Sequence, residues 1–396
     1  MKLAKLSLAA IMAAGIFSVA NATPLEDAIK GVDLSGMIRL RFYNEDRGNQ
    51  NPNNDYNRWR SSEDFRFTIP VSDTMKLIYK LEVESSFRTN GSDITNQASE
   101  GTVTNNEAYL NYASNGLNVL AGRIPVATTV TTSGHGENIG SGVIATYGLG
   151  NGLTVAGAFV DDLEGSLYKI EDLANIAPAS ADTTKIPNGH DIAALALIYS
   201  NDMFDANAWY YRITNISKYV FTVGATVKPM AGVKLHGDFA SSKLENDVSN
   251  YLYGHTADTK TFFNVNGSYA ANGFSILAGY AKTNKKDGVI SLNPDAPIDA
   301  VLPVAQRYHF TNSTDMAAYY AKAGFAVNGA TNAYLAYAHV NDKKATDEDS
   351  NEYQAGVKYK YNKKLGFHVY YSVLDYNSAN NAKDNNEFRI EAKYSF

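Results

Sequence analysis

Phe388 to Phe396, FRIEAKYSF, alternates without interruption. Phe388, Ile390, Ala392, Tyr394 and Phe396 fall on one face, and Arg389, Glu391, Lys393 and Ser395 on the other. Successive side chains of a strand point to opposite sides of its sheet, so this is a β-strand with one oily and one charged face. A soluble sheet hides such an oily face in a core, whereas a membrane sheet turns it toward lipid. The rest of the chain decides between the two.

The same period of two begins just after Gly31. Val32, Leu34, Gly36, Ile38, Leu40 and Phe42 alternate with Asp33, Ser35, Met37, Arg39, Arg41 and Tyr43. It recurs where Leu77, Tyr79, Leu81 and Val83 oppose Lys76, Lys80, Glu82 and Glu84, and where Phe367, Val369, Tyr371 and Val373 oppose Gly366, His368, Tyr370 and Ser372. Short turns fall at 71–75, 114–116, 148–152, 200–203, 229–232, 270–273, 327–331 and 362–364, several with the Asn-Gly or Gly-rich chemistry of tight hairpins. Longer polar segments lie between them, at 44–55, 88–104, 124–142, 161–189, 212–216, 241–260, 283–314, 341–350 and 376–384. Eight turns and nine loops in strict alternation require eighteen strands, each long enough to cross a bilayer when tilted. The fold expected is all-β, a transmembrane antiparallel barrel of about 18 strands with short periplasmic turns and long extracellular loops. A pair of soluble sandwiches also alternates, but it predicts a dry inner face, and here the second face carries Arg, Lys and Glu in mid-strand.

Composition agrees. The chain of 396 residues has 27 Tyr and 17 Phe, rings that suit strands and the boundary between water and oil. Length alone suggests two or three domains, yet no shift of composition, Pro/Ser linker or repeat divides 23–396, which reads as one barrel domain. Residues 1–22 place Lys2 and Lys5 before an apolar run from Leu6 to Ala20 and end in Ala20-Asn21-Ala22, a secretory signal peptide cleaved between Ala22 and Thr23. Thr23, Pro24 and Glu26 could open one short helix that stops at Gly31. Loss of Lys2 and Lys5 takes the formal charge from −6 to −8, and with no basic run the exported protein is no nucleic-acid binder. Cysteine is absent, so stability in an oxidising compartment rests on the fold.

The leader MKLAKLSLAA…ANA running into TPLEDAIKGVDLSGMIRLRF, the eighteen-strand layout and the final FRIEAKYSF together resemble the Campylobacter-type major outer membrane protein, a porin family. The resemblance implies a homotrimer in the bacterial outer membrane, in contact with lipid and lipopolysaccharide, passing ions and small hydrophilic solutes by passive diffusion. It also implies a calcium ion near the constriction, to which no ligands can be assigned, and otherwise no cofactor. A terminal aromatic of this kind is read by the barrel assembly machinery, which gives Phe388, Ile390, Tyr394 and Phe396 that role by resemblance.

The selectivity of a pore comes from its lining. On the face opposite the apolar one stand Arg39, Arg41, Arg58, Arg60, Arg66 and Lys80, a basic column, with Glu82 and Glu84 on the third strand. The third long loop, IPVATTVTTSGHGENIGSG, is the constriction candidate by resemblance and brings Glu137 as an opposing charge. In this phase Glu63 points at lipid, so a bulge or a subunit contact is expected there. Acidic groups at 161–164 and 347–349 lack the spacing of a calcium loop and read as solvated loop tips. The seven histidines show no zinc spacing, and Ser133-Gly134-His135 lacks a nucleophile elbow, so no enzyme is expected. The alternatives to an open diffusion porin are a substrate-selective channel, or an adhesin or surface-structural barrel that only displays loops.

Overall fold

The computed structural model describes residues 31–46, 56–90, 93–131, 139–163, 191–290, 298, 300–305, 310, 313–343, 348–377 and 385–396. The leader with its Ala22/Thr23 junction, the helix expected from Thr23, and Glu137 lie outside them. The strands, in chain order, begin with β1 Asp33–Asp46, β2 Tyr56–Ser72, β3 Met75–Asn90, β4 Asp93–Ser114, β5 Leu117–Pro125 and β6 Ile139–Gly150. They continue with β7 Leu153–Leu163, β8 Ile192–Ser200, β9 Phe204–Ile213, β10 Ser217–Met230, β11 Val233–Leu244 and β12 Thr259–Ala271. The last six are β13 Phe274–Thr283, β14 Met316–Ala326, β15 Thr331–Asp342, β16 Glu348–Lys360, β17 Leu365–Asn377 and β18 Asn385–Ser395. Among the described residues one helix, of eight residues, α1 Asn246–Tyr253, sits in the connection from β11 to β12.

Each strand pairs antiparallel with the next, and β1 also pairs with β18, so the eighteen-stranded sheet closes on itself. The closing register sets Arg39 beside Lys393, Arg41 beside Glu391 and Tyr43 beside Arg389. Phe396 extends the seam by one residue: its N–H donates to the Gly36 carbonyl and its carbonyl accepts from the Gly36 N–H, both at 3.0 Å. A Cβ on Gly36 would stand 2.0 Å from the Asp64 carbonyl and 3.0 Å from the Phe396 ring. Glycine is therefore the residue that lets β1 lie this close to β2 while the terminal ring, 6.1 Å from that of Phe65, covers it.

All eight short turns lie where the sequence places them. At Asn115-Gly116 the φ angles are 48° and 78°, the left-handed pair that a two-residue turn demands and that Asn followed by Gly tolerates. The long side is less regular than expected. Residues 88–104 are no open loop, since β3 and β4 run on as a ribbon to Asn90 and Asp93. Residues 212–216 also make a tight reversal, with Asn215 at φ 63°. Both segments are polar, which marks water on their outer side but leaves a strand pair able to satisfy its own backbone.

Glu63 corrects the sequence reading in one respect. It pairs with Ile38 on β1 and Val83 on β3 with no register shift near it, so there is no bulge and its carboxylate stands in the outer face. The bulge falls instead where Lys80 pairs with Glu107 and Leu81 with Asn105, which leaves Asn106 as the extra residue. Asn106 and Glu107 consequently both turn inward.

Away from Glu63 the outer face is oily: Leu195 is 68% exposed, Leu335 65% and Tyr319 59%. On a water-soluble protein such a continuous surface would drive aggregation, whereas around a closed barrel it is the lipid contact. Rings cluster on it at two levels. Phe42 with Trp59, Phe263 with Tyr280 and Tyr319, and Tyr337 with Tyr353 lie toward the loop end. Tyr199 with Phe204, Tyr359 with Phe367, and Tyr394 with Phe396 lie toward the turn end. Amphipathic rings favour both membrane boundaries, so the two girdles mark the oily band between them.

Closure through Gly36 and Phe396 leads to a test. Phe396→Ala should lower the fraction of barrel that inserts into the outer membrane several-fold, measured by heat-modifiable gel mobility of membrane fractions, while channels that do insert keep their unit conductance.

Candidate functional site: the lumen

Residues that alternate with the lipid-facing set line the interior. On β1 to β3 and β18 this lining is a lattice of charges. Arg60 is paired with Glu84, which also accepts from Ser62 Oγ at 3.1 Å. Arg66 reaches Glu107 at 2.6 Å, and Lys80 reaches Asp64 at 3.5 Å. Glu82 accepts from Asn106 Nδ2. The acids thus stand on the same wall as the bases, interleaved one or two strands apart. The opposing charge expected from the third loop, Glu137, lies outside the described residues.

Among the described residues, Arg39, Arg41 and Arg58 are the cations of this wall with no carboxylate in ion-pair contact. Arg41 is 8% exposed, donates to Ser62 Oγ at 3.3 Å and packs its guanidinium 5.6 Å from the Tyr43 ring centre. Arg389 lies 4.2 Å over the same ring and 5.0 Å from that of Tyr370, and holds Glu387 at 2.8 Å. Aromatic faces carry partial negative charge, so tyrosines hold these cations where further carboxylates would neutralise them. Arg58 enters the lattice beside Tyr43 in the β1–β2 register.

Half the ring away, β9 to β12 present a different surface. One register row runs Asn207, Gly224, Asp238 and Asn264, with Trp209 and Thr222 in the row on the loop side and Thr226, His236 and Asn266 in the row on the turn side. His236 Nε2 meets Asp238 Oδ2 at 2.7 Å, Asn264 Nδ2 donates to that oxygen at 3.0 Å, and Tyr320 Oη donates to Asn264 Oδ1 at 2.6 Å. Around this carboxylate and its imidazole the side chains of Asn207, Thr222, Thr226, Asn264 and Asn266 are neutral and polar, and the nearest ion pair on these strands, Asp205 with Lys228, lies toward the turns.

Two loops reach this wall. After β5 the chain turns inward, so that Val126 and Val130 are buried and Thr129 Oγ1 lies 3.0 Å from Thr222 Oγ1 and 3.5 Å from Asn207 Oδ1. The connection from β13 to β14 is the second. Ile290, Ile298, Leu302 and Phe310 are buried, the Phe310 ring lies 5.3 Å from Phe262, and the Ala305 N–H donates to Glu352 at 2.9 Å. Both loops join one apolar cluster with Ile192, Tyr211, Val220 and Phe262 of the inner wall. A barrel lumen with an oily cluster inside it is what remains when loops bring their own side chains to cover the strand ends.

The sequence reading missed the second loop. Its signal was there: 289–304, VISLNPDAPIDAVLPV, is far too apolar for a solvated loop tip. Its stem is clamped by Lys260, wholly buried, whose Nζ donates to the carbonyls of Lys286, at 2.9 Å, and Ser313. His255 adds an outer clasp, with Nε2 at 3.1 Å from Asp287, beside Asp258, Lys286 and the Tyr253 ring. The Thr256 carbonyl and then the Asp287 carboxylate raise the pKa of His255.

Among the described residues no group of three His, Asp, Glu or Cys side chains converges with metal-binding geometry. The acidic stretches at 161–164 and 347–349 lie partly outside the described residues.

The sequence matches the description "Campylobacter major outer membrane protein" over residues 1–396. This chain belongs to that family. It is an outer-membrane porin, a multi-pass β-barrel. No curated protein matches it in sequence. Its fold is similar to solved structures of Acinetobacter baumannii OccAB1, at 15% identity, covering 92% of this chain and 96% of that one with a TM-score of 0.70. Pseudomonas aeruginosa OccK9 (OpdG) is similar at 15% identity, 93% and 99% coverage and a TM-score of 0.69. Pseudomonas aeruginosa OccK3 (OpdO) is similar at 15% identity, 94% and 97% coverage and a TM-score of 0.66. At these identities the likeness is one of barrel architecture.

Two outcomes follow for this porin. Arg66→Met leaves the carboxylate of Glu107, 1% exposed, without its ion-pair partner. The cost should be about 3–5 kcal/mol, seen as a lower urea midpoint of the refolded barrel, with much of it regained in the Arg66→Met/Glu107→Leu pair. For His255, a raised pKa means that the clasp is complete at acid pH and is lost as pH rises through that pKa. Hydrogen-exchange protection of 284–290, corrected for intrinsic rates, should therefore fall with rising pH in the native chain and show no such fall in His255→Gln.

Proposed function

We propose that this porin passes ions and small hydrophilic solutes by diffusion, through a lumen narrowed on one side by the third loop and by the connection from β13 to β14. The observation that carries the narrowing is the inward path of 126–131, whose Thr129 meets Thr222 and Asn207 on the inner wall. Passage then runs beside the charged wall of β1 to β3 and β18. There Arg39, Arg41 and Arg58 bias the potential toward anions, while the paired Arg60, Arg66, Lys80, Glu82 and Glu84 set dipoles across the path. Glu137 remains a proposed acidic constriction charge.

The reading is of a channel and not of an enzyme. Thr226, His236 and Asp238 do form a hydroxyl–imidazole–carboxylate chain. It lies in mid-strand, however, where unbroken ladders on both sides take up the backbone N–H groups that an oxyanion would need. The proposal includes export by a cleaved leader at 1–22, a homotrimer for which outward-facing Glu63 marks one subunit contact, and an outer face against lipid and lipopolysaccharide. It also includes recognition of Phe388, Ile390, Tyr394 and Phe396 by the assembly machinery. Calcium enters only as a family expectation without ligands.

Planar-bilayer recording tests it. The native protein should give stepwise ohmic conductance, and Arg39→Ala/Arg41→Ala should shift reversal potentials toward cations by removing positive charge from the lining. Shortening 128–137 should raise unit conductance. Absence of conductance from correctly folded barrels would move the assignment to a surface-structural role.

A further inference from the structure

Between the third loop, the inner wall of β9 to β12 and the second inward loop lies a cavity of about 680 Å³. We propose that it is a binding subsite for neutral saccharides, set beside the diffusion path. The proposal rests on the channel reading and adds to it a ligand class.

The lining separates this place from the rest of the lumen. Its polar groups are the hydroxyls of Thr128, Thr129 and Thr131, the amides of Asn207, Asn264 and Asn266, and the His236–Asp238 pair. Among the described residues no Lys or Arg lines it, although the opposite wall is dense with them. An anionic solute finds its cations across the lumen, and a cationic one meets here a carboxylate already engaged by two donors. What the surface suits is an uncharged molecule with many hydroxyl groups.

The arrangement of the row makes the fit specific. Gly224 stands between Asn207 on β9 and Asp238 on β11, and a Cβ placed on it would be 3.1 Å from Asn207 Nδ2 and 3.1 Å from Asp238 Oδ1. A donor and an acceptor therefore converge over a notch that has no side chain in it. A sugar hydroxyl both donates and accepts, so an amide N–H beside a carboxylate oxygen serves both of its roles at once. Asp238 is held for this by His236 and Asn264, and Asn264 in turn by Tyr320. Such a supported chain keeps rotamers fixed before a ligand arrives.

The apolar half of a pyranose needs a flat surface. Trp209, two residues from Asn207 on the same face of β9, is half-buried, lines the cavity and is stacked at 7° on Tyr211 with ring centres 5.7 Å apart. Ile298 and Val301, from the second inward loop, line it as well. A site with an aromatic platform, aliphatic walls and a few fixed polar groups is the usual make-up of a small-molecule pocket.

The chain has two tryptophans, and the other, Trp59, is in the outer face. In Trp59→Phe protein the emission of Trp209 should change and saturate as maltose or N-acetylglucosamine is added. Over the same concentrations these sugars should reduce single-channel current in planar bilayers. Asp238→Ala and, separately, Asn207→Ala should raise the half-saturating sugar concentration by about tenfold or more, the loss expected when a hydroxyl gives up a hydrogen bond to a charged or well-held group. Channels that conduct but whose Trp209 emission and current ignore both sugars would overturn the subsite and leave the porin reading intact. A response to N-acetylalanine amide with none to the sugars would overturn the saccharide assignment. Loss of conductance altogether would instead overturn the porin reading.

Discussion

Lipid offers no hydrogen bonds, and that single fact organises this molecule. Every backbone N–H and C=O within the oily band must find a partner in the sheet, so the sheet has no permissible edge. The demand is met at one place, where β18 lies against β1 and the terminal Phe396 exchanges two bonds with Gly36. The other seventeen pairings are between neighbours in sequence and form from hairpins and loops. The seam alone joins opposite ends of the chain. Its aromatic, its glycine and its register therefore have an importance that no single residue of the other strands shares.

Closure also creates two environments from one alternation. Outward positions meet lipid and carry rings at the two boundaries, and inward positions meet water and carry charge. The charged wall is largely self-compensating, because register places Arg60 beside Glu84 on the adjoining strand and lets Arg66 reach across β3 to Glu107 on β4. Cross-strand pairing of opposite charge is the cheap way to keep many ions in a narrow space. The net bias falls on cations without a carboxylate partner, such as Arg41, whose guanidinium packs on the Tyr43 ring.

The interior is not uniform around the ring. Loops cover the wall of β9 to β12 and bury an oily cluster there, while the wall of β1 to β3 stays charged. A lumen divided in this way has a path and a side chamber. Lys260 and the His255–Asp287 clasp hold the stem of the second loop, so the chamber has a fixed cover. With the subsite proposed above, diffusion and retention would fall to different walls of one barrel.

Much of this was legible in the residues. Alternation in FRIEAKYSF and in β1, together with eight turn signals, determined the fold class, the count of strands and which side chains face inward, because a period of two and the chemistry of Asn-Gly turns are local rules. Arg39 to Lys80 could be assigned to the inner face for the same reason. What the line of residues could not decide was who stands beside whom. That Glu107 answers Arg66, that Glu63 keeps its outward place without a bulge, and that residues far apart in the chain, Thr129 and Thr222, meet inside the lumen are consequences of register and loop path. Register is set by the whole closed ring, and loop path by burial of side chains such as Ile298 and Phe310 that no local period announces.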